Sequence, residues 1–311
     1  MHVVIAVLTY RRPDTLARLL RAVGVLDPVA DARKTLLVID NDAGQSARKL
    51  VSSAALGSIN VKYVVELSRG IPFARNRALT EAESMGADFL CFIDDDEYPA
   101  RDWLTQLMHT QRSTGAQLVG GPVRVAPADD SVGWWKSFVN TSLASRALRK
   151  EAKTAKAVLA GNKYTIVTNN WLADLRWLAD RNMRFDERHR YSGGSDTAFF
   201  RACLGNGCTI AWSSGAIVYE TILPERLSLA YQYKRGMAQS TNHFHMKTEE
   251  GSRPGNVCVT VGVALARAAL GVVLLVFPVY GRASPVTAIR SIGWGMGRLN
   301  ALRGGRSNLY G

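Results

Sequence analysis

Four acids stand in a row at Asp94-Asp95-Asp96-Glu97, directly after the apolar run Phe89-Leu90-Cys91-Phe92-Ile93. At a strand end, side chains two apart point the same way, so Asp94 and Asp96 can share a target. Clustered carboxylates repel one another unless a cation neutralises them. Oxygen ligands of this kind suit Mg²⁺ or Mn²⁺, which bind one or two carboxylates together with substrate phosphates. The bland alternative is a solvated acidic turn or a helix cap, but a tetrad closing a wholly apolar strand is unusual for either.

Other groups carry weaker signals, each with an ordinary structural reading beside it. Asp40 and Asp42 close the run Lys34–Ile39; a carboxylate there accepts from a base N–H or a ribose hydroxyl, or forms an Asx-type turn. Arg69, Arg75 and Arg77 flank Gly70 and Asn76 near a helix start, where arginines contact phosphate or lie on a solvated face. Asp196 follows Gly193-Gly194-Ser195 and opens a helix, a place for a general base or for an N-cap. His189, His243 and His245 are lone histidines, and Trp134-Trp135 is expected to pack in a core rather than to stack on an acceptor or meet a membrane.

The elements that must position these groups are legible in the first hundred residues. His2–Thr9 is a β-branched run, followed by Leu16, Leu19, Leu20 and Val23 at helical spacing. Lys34–Ile39, Val61–Val65 and Asp88–Ile93 read as further strands. Gln45–Leu56 and Ile71–Met85 read as helices, the second with Ala74, Ala78 and Ala82 on one face. Alternating strands and helices imply βαβ units and a mostly parallel sheet, whose ligands bind at the carboxyl ends of the strands. Thr9–Arg12, Asp40–Asp42 and Asp94–Glu97 each follow a strand, so three separate segments agree on where a site lies. Later come a strand over Leu118–Val125, a basic stretch from Arg146 to Lys156, a polar loop over Phe185–Asp196, a helix over Thr197–Leu204 and a strand-like Cys208–Val218 ending at Tyr219-Glu220.

A chain of 311 residues, 47% hydrophobic and 21% charged, is not disordered and has length for about two domains. None of the four cysteines forms a C-x-x-C pair, so buried reduced thiols in a cytosolic compartment are expected. The first residues lack the basic flank of a signal peptide and read as a buried strand. Net charge is +13, which points to an anionic partner. Nucleic acid is not expected, because no basic–aromatic interleaving or known module is present. From Gly251 to Gly311 there are seven arginines, from Arg253 to Arg306, and no acid. The same region holds the apolar run Val257–Tyr280, long enough to cross a bilayer. Arg267 near its middle costs about 2.5–3.5 kcal/mol at a membrane centre, so an interfacial or re-entrant helix competes with a span.

Taken in order, these segments resemble the family 2 glycosyltransferases, and among them the bacterial enzymes of succinoglycan-type exopolysaccharide synthesis. The likeness is carried by Val7-Leu8-Thr9-Tyr10-Arg11-Arg12-Pro13, Val38-Ile39-Asp40-Asn41-Asp42, Gly70-Ile71 with Ala74-Arg75-Asn76, and Phe92-Ile93-Asp94-Asp95-Asp96-Glu97 with Trp103-Leu104. It continues through Asn170, Phe185-Asp186, Gly193-Gly194-Ser195-Asp196-Thr197, Tyr219-Glu220 and Pro224-Glu225-Arg226.

The resemblance implies an α/β fold of the GT-A type, a mostly parallel central sheet flanked by helices, with an apolar, helical, membrane-associated C-terminal segment. It implies a catalytic domain over residues 1–236, with a nucleotide half (1–100) and an acceptor half (101–236), and a basic membrane-associated region over 237–311. The implied reaction is inverting transfer from a nucleotide-diphospho-sugar, by family habit a UDP-sugar, to a hydroxyl of a lipid-linked saccharide or other glycan. It would take place at the cytoplasmic face of the inner membrane with Mg²⁺ or Mn²⁺. Thr9, Tyr10, Arg11, Asp40, Arg75 and Asp94 would contact the nucleotide. Asp94 and Asp96 would hold the metal, with Glu220 as a late metal or diphosphate contact. Asp196 would be the base, and Asn170, Gly194, Ser195 and Arg226 would face sugar or acceptor. One departure is visible: the family usually has Gly-Gly-Glu-Asp, and Ser195 stands where that glutamate would be. The competing functions are a nucleotidyltransferase of related fold, which would carry a glycine-rich loop where Thr9–Pro13 stands, and a degenerate sugar-binding scaffold.

Overall fold

The computed structural model describes residues 1–190, 194–249 and 257–305. In chain order its elements are β1 (His2–Thr9), α1 (Pro13–Gly24), β2 (Arg33–Asp40), α2 (Arg48–Ser52), β3 (Asn60–Val65), α3 (Ile71–Ser84), β4 (Phe89–Asp94), β5 (Glu97–Pro99) and α4 (Trp103–Thr114). There follow β6 (Leu118–Gly120), β7 (Val123–Val125), α5 (Gly133–Leu159), β8 (Asn170–Asp174), α6 (Leu175–Asp180), α7 (Ser195–Gly205), β9 (Ile210–Trp212), β10 (Val218–Glu220), α8 (Leu229–Glu249), α9 (Val257–Val276) and α10 (Ser284–Leu302).

The chain divides into two compact units. The first holds Met1–Arg124, Glu151–Arg190 and Ser195–Glu220. Its main sheet runs β3-β2-β1-β4-β8-β6-β9, with β8 antiparallel to β4 and β6 and the remaining pairs parallel. The period of two along each strand separates two cores. Val3, Ile5, Val7, Leu36, Val38, Cys91 and Ile93 face α1 and α4 on one side. Val4, Ala6, Leu37, Ile39, Leu90 and Phe92 face α3, α6 and α7 on the other. A strand buried on both faces must be apolar throughout, which is why β1, β2 and β4 read as continuous runs. The second sheet, in the order β5-β10-β7, is small.

Register sets the site. Thr9 lies opposite Asp40 in the β1–β2 pair, and Leu8 opposite Asp94 in the β1–β4 pair. The carboxyl ends of three strands are therefore level. The chain steps outward from β1 to β2 and β3, then returns across β1 to β4, and ligands bind in the crevice at such a reversal.

Several elements differ from expectation. Only Arg48–Ser52 is helical within Gln45–Leu56, because the Asp40 carboxylate takes the Ala47 N–H and holds the preceding residues as a turn. The expected strands over Leu118–Val125 and Cys208–Val218 each break into two. Gly121 marks the first break: a Cβ there would stand 2.2 Å from the Ala216 carbonyl oxygen at the second. Trp134 and Trp135 are not core residues. They are 78% and 44% exposed and pack on each other and on Phe138. Cys91, Cys203 and Cys208 are buried and Cys258 is exposed.

The second unit holds Val125–Lys150, Tyr191–Gly194 and Thr221–Gly311. Here α10 packs against both α8 and α9 through glycines. A Cβ on Gly297 would fall 2.1 Å from the Met237 carbonyl oxygen, and one on Gly295 would fall 2.5 Å from that of Ala264. Small residues let helix backbones approach closely, the packing mode that serves where water does not drive helices together. α9 is a 20-residue helix of mean hydropathy 2.3, long and apolar enough to cross a membrane, with 17% of that stretch buried. Gly193, Arg253 and Arg306 lie outside the described residues, and so does the side chain of His189.

Candidate active site

At the carboxyl end of β4 the acids have distinct partners. Asp95 is buried, accepting from Thr9 Oγ1 at 2.9 Å and from Arg12 Nη1 at 3.0 Å. The same Arg12 nitrogen donates to Asp96 Oδ2 at 3.3 Å. Arg12 is therefore the cation that ties the turn after β1 to the turn after β4. Glu97, also buried, accepts the Asp94 N–H at 3.0 Å and an amide hydrogen of Asn169. It lies opposite Glu220 in the β5–β10 pair.

The electrostatics follow from that crowding. Burial pushes the Asp94 carboxyl up to about 7; Arg75 pulls it down, and Asp96, Asp95 and Asp196 add to the rise. Glu97 is raised well above the ordinary range by burial first and by the charge of Asp94 next. A buried carboxylate group of this kind is short of positive charge.

Arg75 supplies part of it. Its side chain is buried and lies over the Phe185 ring. Nη1 donates to Ser195 Oγ at 3.4 Å and stands 3.8 Å from Asp196 Oδ1. Asp196 is not the cap residue: it sits inside the first turn of α7, 44% exposed, where the helix N-terminus favours its negative charge. Gly194, just before that helix, has φ 89°. So β1, β4, α3 and α7 bring Thr9, Arg12, Asp94, Asp95, Asp96, Arg75, Ser195 and Asp196 together.

Tyr10 and Arg11 lie beside that group. Arg11 and Arg69 stand over the Tyr10 ring at 5.1 and 5.0 Å. Arg11 also donates to Asp42 Oδ1 at 3.2 Å, and that bond holds the Asp42 carboxyl below its usual range.

Two expected residues make hydrogen bonds that organise the backbone around the site. Asp40 is fully buried. One oxygen accepts from the Asp42 N–H, and the other from the Ala47 N–H and from Tyr63 OH at 2.7 Å. Asn170 is also fully buried. It accepts from Trp103 Nε1 at 2.8 Å and donates to the carbonyls of Pro122 and Ala216, so its amide pins three strand ends. Its neighbour Asn169, half-buried and bonded to Glu97, is the amide at the acidic cluster. Arg226 belongs to the second unit, in the turn Pro224–Arg226, where its carbonyl accepts from Gln232.

Arg12, Asn169 and Tyr63 were not singled out by sequence. The signal for Arg12 was its place two residues past a buried strand, among the groups that close that strand. Tyr63 and Asn169 act across strand neighbours, and no local pattern reports such a partner.

The donor set is chemically suited to a hard cation. Asp94 and Asp96 offer oxygens in a desolvated, mutually repelling cluster; Arg12 reaches Asp96 at 3.3 Å, whereas Asp95 is held more closely, by both Thr9 and Arg12. Among the described residues no three His, Cys, Asp or Glu side chains are arranged as a complete metal site. Mg²⁺ does not require one, since it binds through one or two carboxylates and fills its shell with phosphate and water.

Comparison with known proteins gives the family and the fold. The chain is 34% identical over 254 residues to the succinoglycan biosynthesis protein ExoM of Rhizobium meliloti (strain 1021), a match covering 80% of this chain and 76% of that protein. S. aureus TarS 1–349 in complex with UDP-GlcNAc superposes with a TM-score of 0.53 at 16% identity, over 98% of this chain and 93% of that one. Its complex with UDP gives 0.52 at 17%, over 98% and 92%. At such identity the likeness is one of fold, and the fold is GT-A-like. Residues 4–180, more than half of the chain, match Glycosyl transferase family 2, and the chain belongs to that family.

Proposed function

We propose that the chain transfers a sugar, with inversion, from a UDP-sugar to a hydroxyl of a lipid-linked saccharide in cell-surface polysaccharide synthesis. The observation that carries this reading is the linkage, through Arg75, of an acidic cluster at the strand ends to a half-exposed carboxylate, Asp196. The polysaccharide context is supported by the ExoM likeness, and the UDP-sugar by the titles of the TarS complexes.

Asp94 and Asp96 would hold Mg²⁺ or Mn²⁺, with Glu220 behind them across from Glu97. When bound, the cation supplies positive charge against the diphosphate of the leaving nucleotide. Tyr10, Arg11 and the turn that Asp40 organises form the nucleotide side, with Thr9 holding Asp95 in place. Asp196 takes the proton from the acceptor hydroxyl as its oxygen attacks the anomeric carbon, and Arg75 orients that base. With a serine rather than an acid at position 195, the guanidinium has only one carboxylate of that pair to serve. Gly194 gives the turn that delivers α7, and Arg226 is assigned to the acceptor side.

We assign residues 1–236 to catalysis and 237–311 to attachment at the cytoplasmic face of the inner membrane. The exposed apolar side chains of α9 and the arginines after it favour an acidic leaflet. The experiment is UDP release from a panel of UDP-sugars with lipid-linked acceptor, with and without Mn²⁺ or Mg²⁺, beside Asp96→Ala. Metal-dependent release that Asp96→Ala abolishes supports transfer. Donor binding without release under any condition, by a folded protein, overturns it in favour of a binding scaffold.

A further inference from the structure

Within the second unit α10 has α8 on one face and α9 on the other. Gly293 and Gly297 meet α8: a Cβ on Gly293 would fall 2.3 Å from the Tyr233 carbonyl oxygen, and one on Gly297 2.1 Å from that of Met237. Ala288, Ile292 and Gly295 meet α9, where a Cβ on Gly271 would stand 2.7 Å from the Ala288 carbonyl oxygen. At 3.6 residues per turn the two sets occupy opposite faces of α10. Partners rise together along α8 and α10, from Tyr233 with Gly293 to His243 with Arg298, so these helices are parallel. Along α9 they run the other way, from Ala264 with Gly295 to Gly271 with Ala288, so α9 is antiparallel. The middle of α9 is therefore level with the stretch of α8 around Tyr233 and Met237.

The two outer helices differ in kind. α9 buries Ala264, Gly271 and Leu274, a narrow stripe toward α10. Val259, Val263, Leu265, Leu270, Val273 and Val276 are exposed, and at about 100° per residue they cover roughly half of the circumference. Arg267, the one charged residue of α9, is off that arc. It belongs to the half that faces the bundle, with its guanidinium 5.3 Å from the Trp294 ring of α10. α8 is polar along its length, and Lys234 and Gln239 are exposed on it. Residues 257–305 carry Arg267, Arg282, Arg290, Arg298 and Arg303 and no acid.

We propose that α9 lies in the plane of the membrane, with its apolar arc sunk into an acidic leaflet, and does not cross it. The proposal rests on the reading that this region attaches the chain to a membrane, and it names the geometry of that attachment. If α9 stood along the bilayer normal, α8 would stand with it, and exposed Lys234 would be carried to the depth of the α9 midpoint. A charge there is costly, and α8 has no apolar face to give to lipid. Laid flat, α9 sinks to the acyl boundary. α10 then lies behind it and α8 a further helix spacing, about 8–10 Å, toward water. Arg267 sits at the flank of the sunken arc, where a long side chain reaches the headgroups, and a stretch with five arginines and no acid suits anionic lipid. The arc suits lipid better than a second copy of the chain. It is convex and aliphatic, and α9 has no aromatic residue, whereas a protein interface is enriched in aromatic groups and has a polar rim.

The test uses the full chain. Cys91, Cys203 and Cys208 are buried and Cys258, at the start of α9, is exposed. Cys258 therefore reports one end of the helix, and Arg282→Cys in a Cys258→Ser background reports the other. With a membrane-impermeant maleimide, both ends are expected to label in inside-out vesicles and neither in intact spheroplasts. Val259, Ala266 and Val273 recur every seven residues on the exposed arc. Nitroxide probes on Val259→Cys, Ala266→Cys and Val273→Cys, one at a time in the same background, should report nearly equal depths in vesicles containing phosphatidylglycerol. Val273→Asp should bind those vesicles at least about tenfold more weakly and keep the wild-type melting temperature in their absence. An end that labels from outside the cell, or a probe at Ala266 much deeper than the other two, overturns the proposal while attachment stands. So does burial of all three probes by self-association without lipid, which gives the arc to a second copy. A chain that stays off phosphatidylglycerol vesicles altogether removes the attachment reading, and this geometry with it.

Discussion

The sheet end of the first unit and the helix bundle of the second carry opposite imbalances of charge. At the sheet end, acids outnumber their counter-charges. Arg12 serves Asp95 and Asp96, Arg75 serves Asp196, and Asp94 is still pushed up to about 7. In the bundle the excess is basic, and burial followed by the charge of Arg235 pushes Arg146 down. The packing differs in the same sense. The sheet is cemented by large side chains in two layers, whereas α8, α9 and α10 meet backbone to backbone at glycines. Where a chain leaves a buried charge without its opposite, the substrate or a bound ion is the natural source of it. By that argument the sheet end is where the proposed cation would bind.

The largest effect should come from the carboxylate the sheet end leaves half-exposed. Asp196→Asn keeps shape and removes the base, so transfer should fall about 10²–10⁴-fold, while UDP binding followed by calorimetry stays near wild type. Transfer at the wild-type rate would remove Asp196 from the mechanism. Next comes the packing contrast. Gly297→Val places a Cβ 2.1 Å from the Met237 carbonyl oxygen and disturbs the Thr241 Oγ1 bond to the Gly297 carbonyl. Overpacking of this kind costs about 1–3 kcal/mol. Gly262→Ala, on an open part of α9 with nothing within 4 Å, is the control and should be neutral or slightly stabilising. Equal melting temperatures for the two variants would mean that the bundle does not depend on close backbone contact.

The cation deficit has a sign that can be checked. Asp94 has an ordinary value of 3.8 and is raised to about 7, so the native state holds a proton that the unfolded chain releases. The Asp94 contribution to the stability of the metal-free protein is fully present below 3.8 and is lost as pH rises through that value toward about 7, read as the difference between wild type and Asp94→Asn. UDP with Mn²⁺, bound as proposed, would relieve the ionised form. The rise in melting temperature that they cause should therefore be larger on the alkaline side of 7 than on the acid side. An increment that does not change with pH would show that Asp94 is not at the cation site.

The sequence exposes the parts of this contrast that are local. Continuous apolar runs reveal β1, β2 and β4, and three polar clusters mark the edge of the sheet. The resemblance adds Arg75 and Asp196, which lie 120 residues apart or more and meet only through the fold. Long-range pairings were not legible: Arg12 with Asp95 and Asp96, Tyr63 with Asp40, Trp103 with Asn170. Asn170 shows the limit well. Its bonds to Trp103, Pro122 and Ala216 cross strands, and no local pattern in the sequence reports them. Trp134 and Trp135 show the converse, since size and apolarity suggest a core and both side chains are exposed.

The smallest expected effect separates a compensated surface acid from the uncompensated buried ones. Glu81 on α3 contacts Lys62 Nζ at 2.6 Å and Arg77 Nε at 2.8 Å. The Lys62 hydrogen bond above all, against some burial, holds its carboxyl below the ordinary 4.5. A depressed carboxyl contributes stability that is present above the ordinary value and is lost as pH falls through the folded one. Lys62 and Arg77 are each more than a third exposed, and surface pairs contribute about 0–1 kcal/mol. Glu81→Gln should therefore lower the melting temperature slightly at neutral pH and leave it unchanged at acid pH, where Glu81 is already protonated. The sign is opposite to that of Asp94, whose contribution favours the acid side. If Glu81→Gln instead stabilised the protein at neutral pH, Glu81 would belong with the acids that lack a counter-charge, and the division between surface and sheet end would fail.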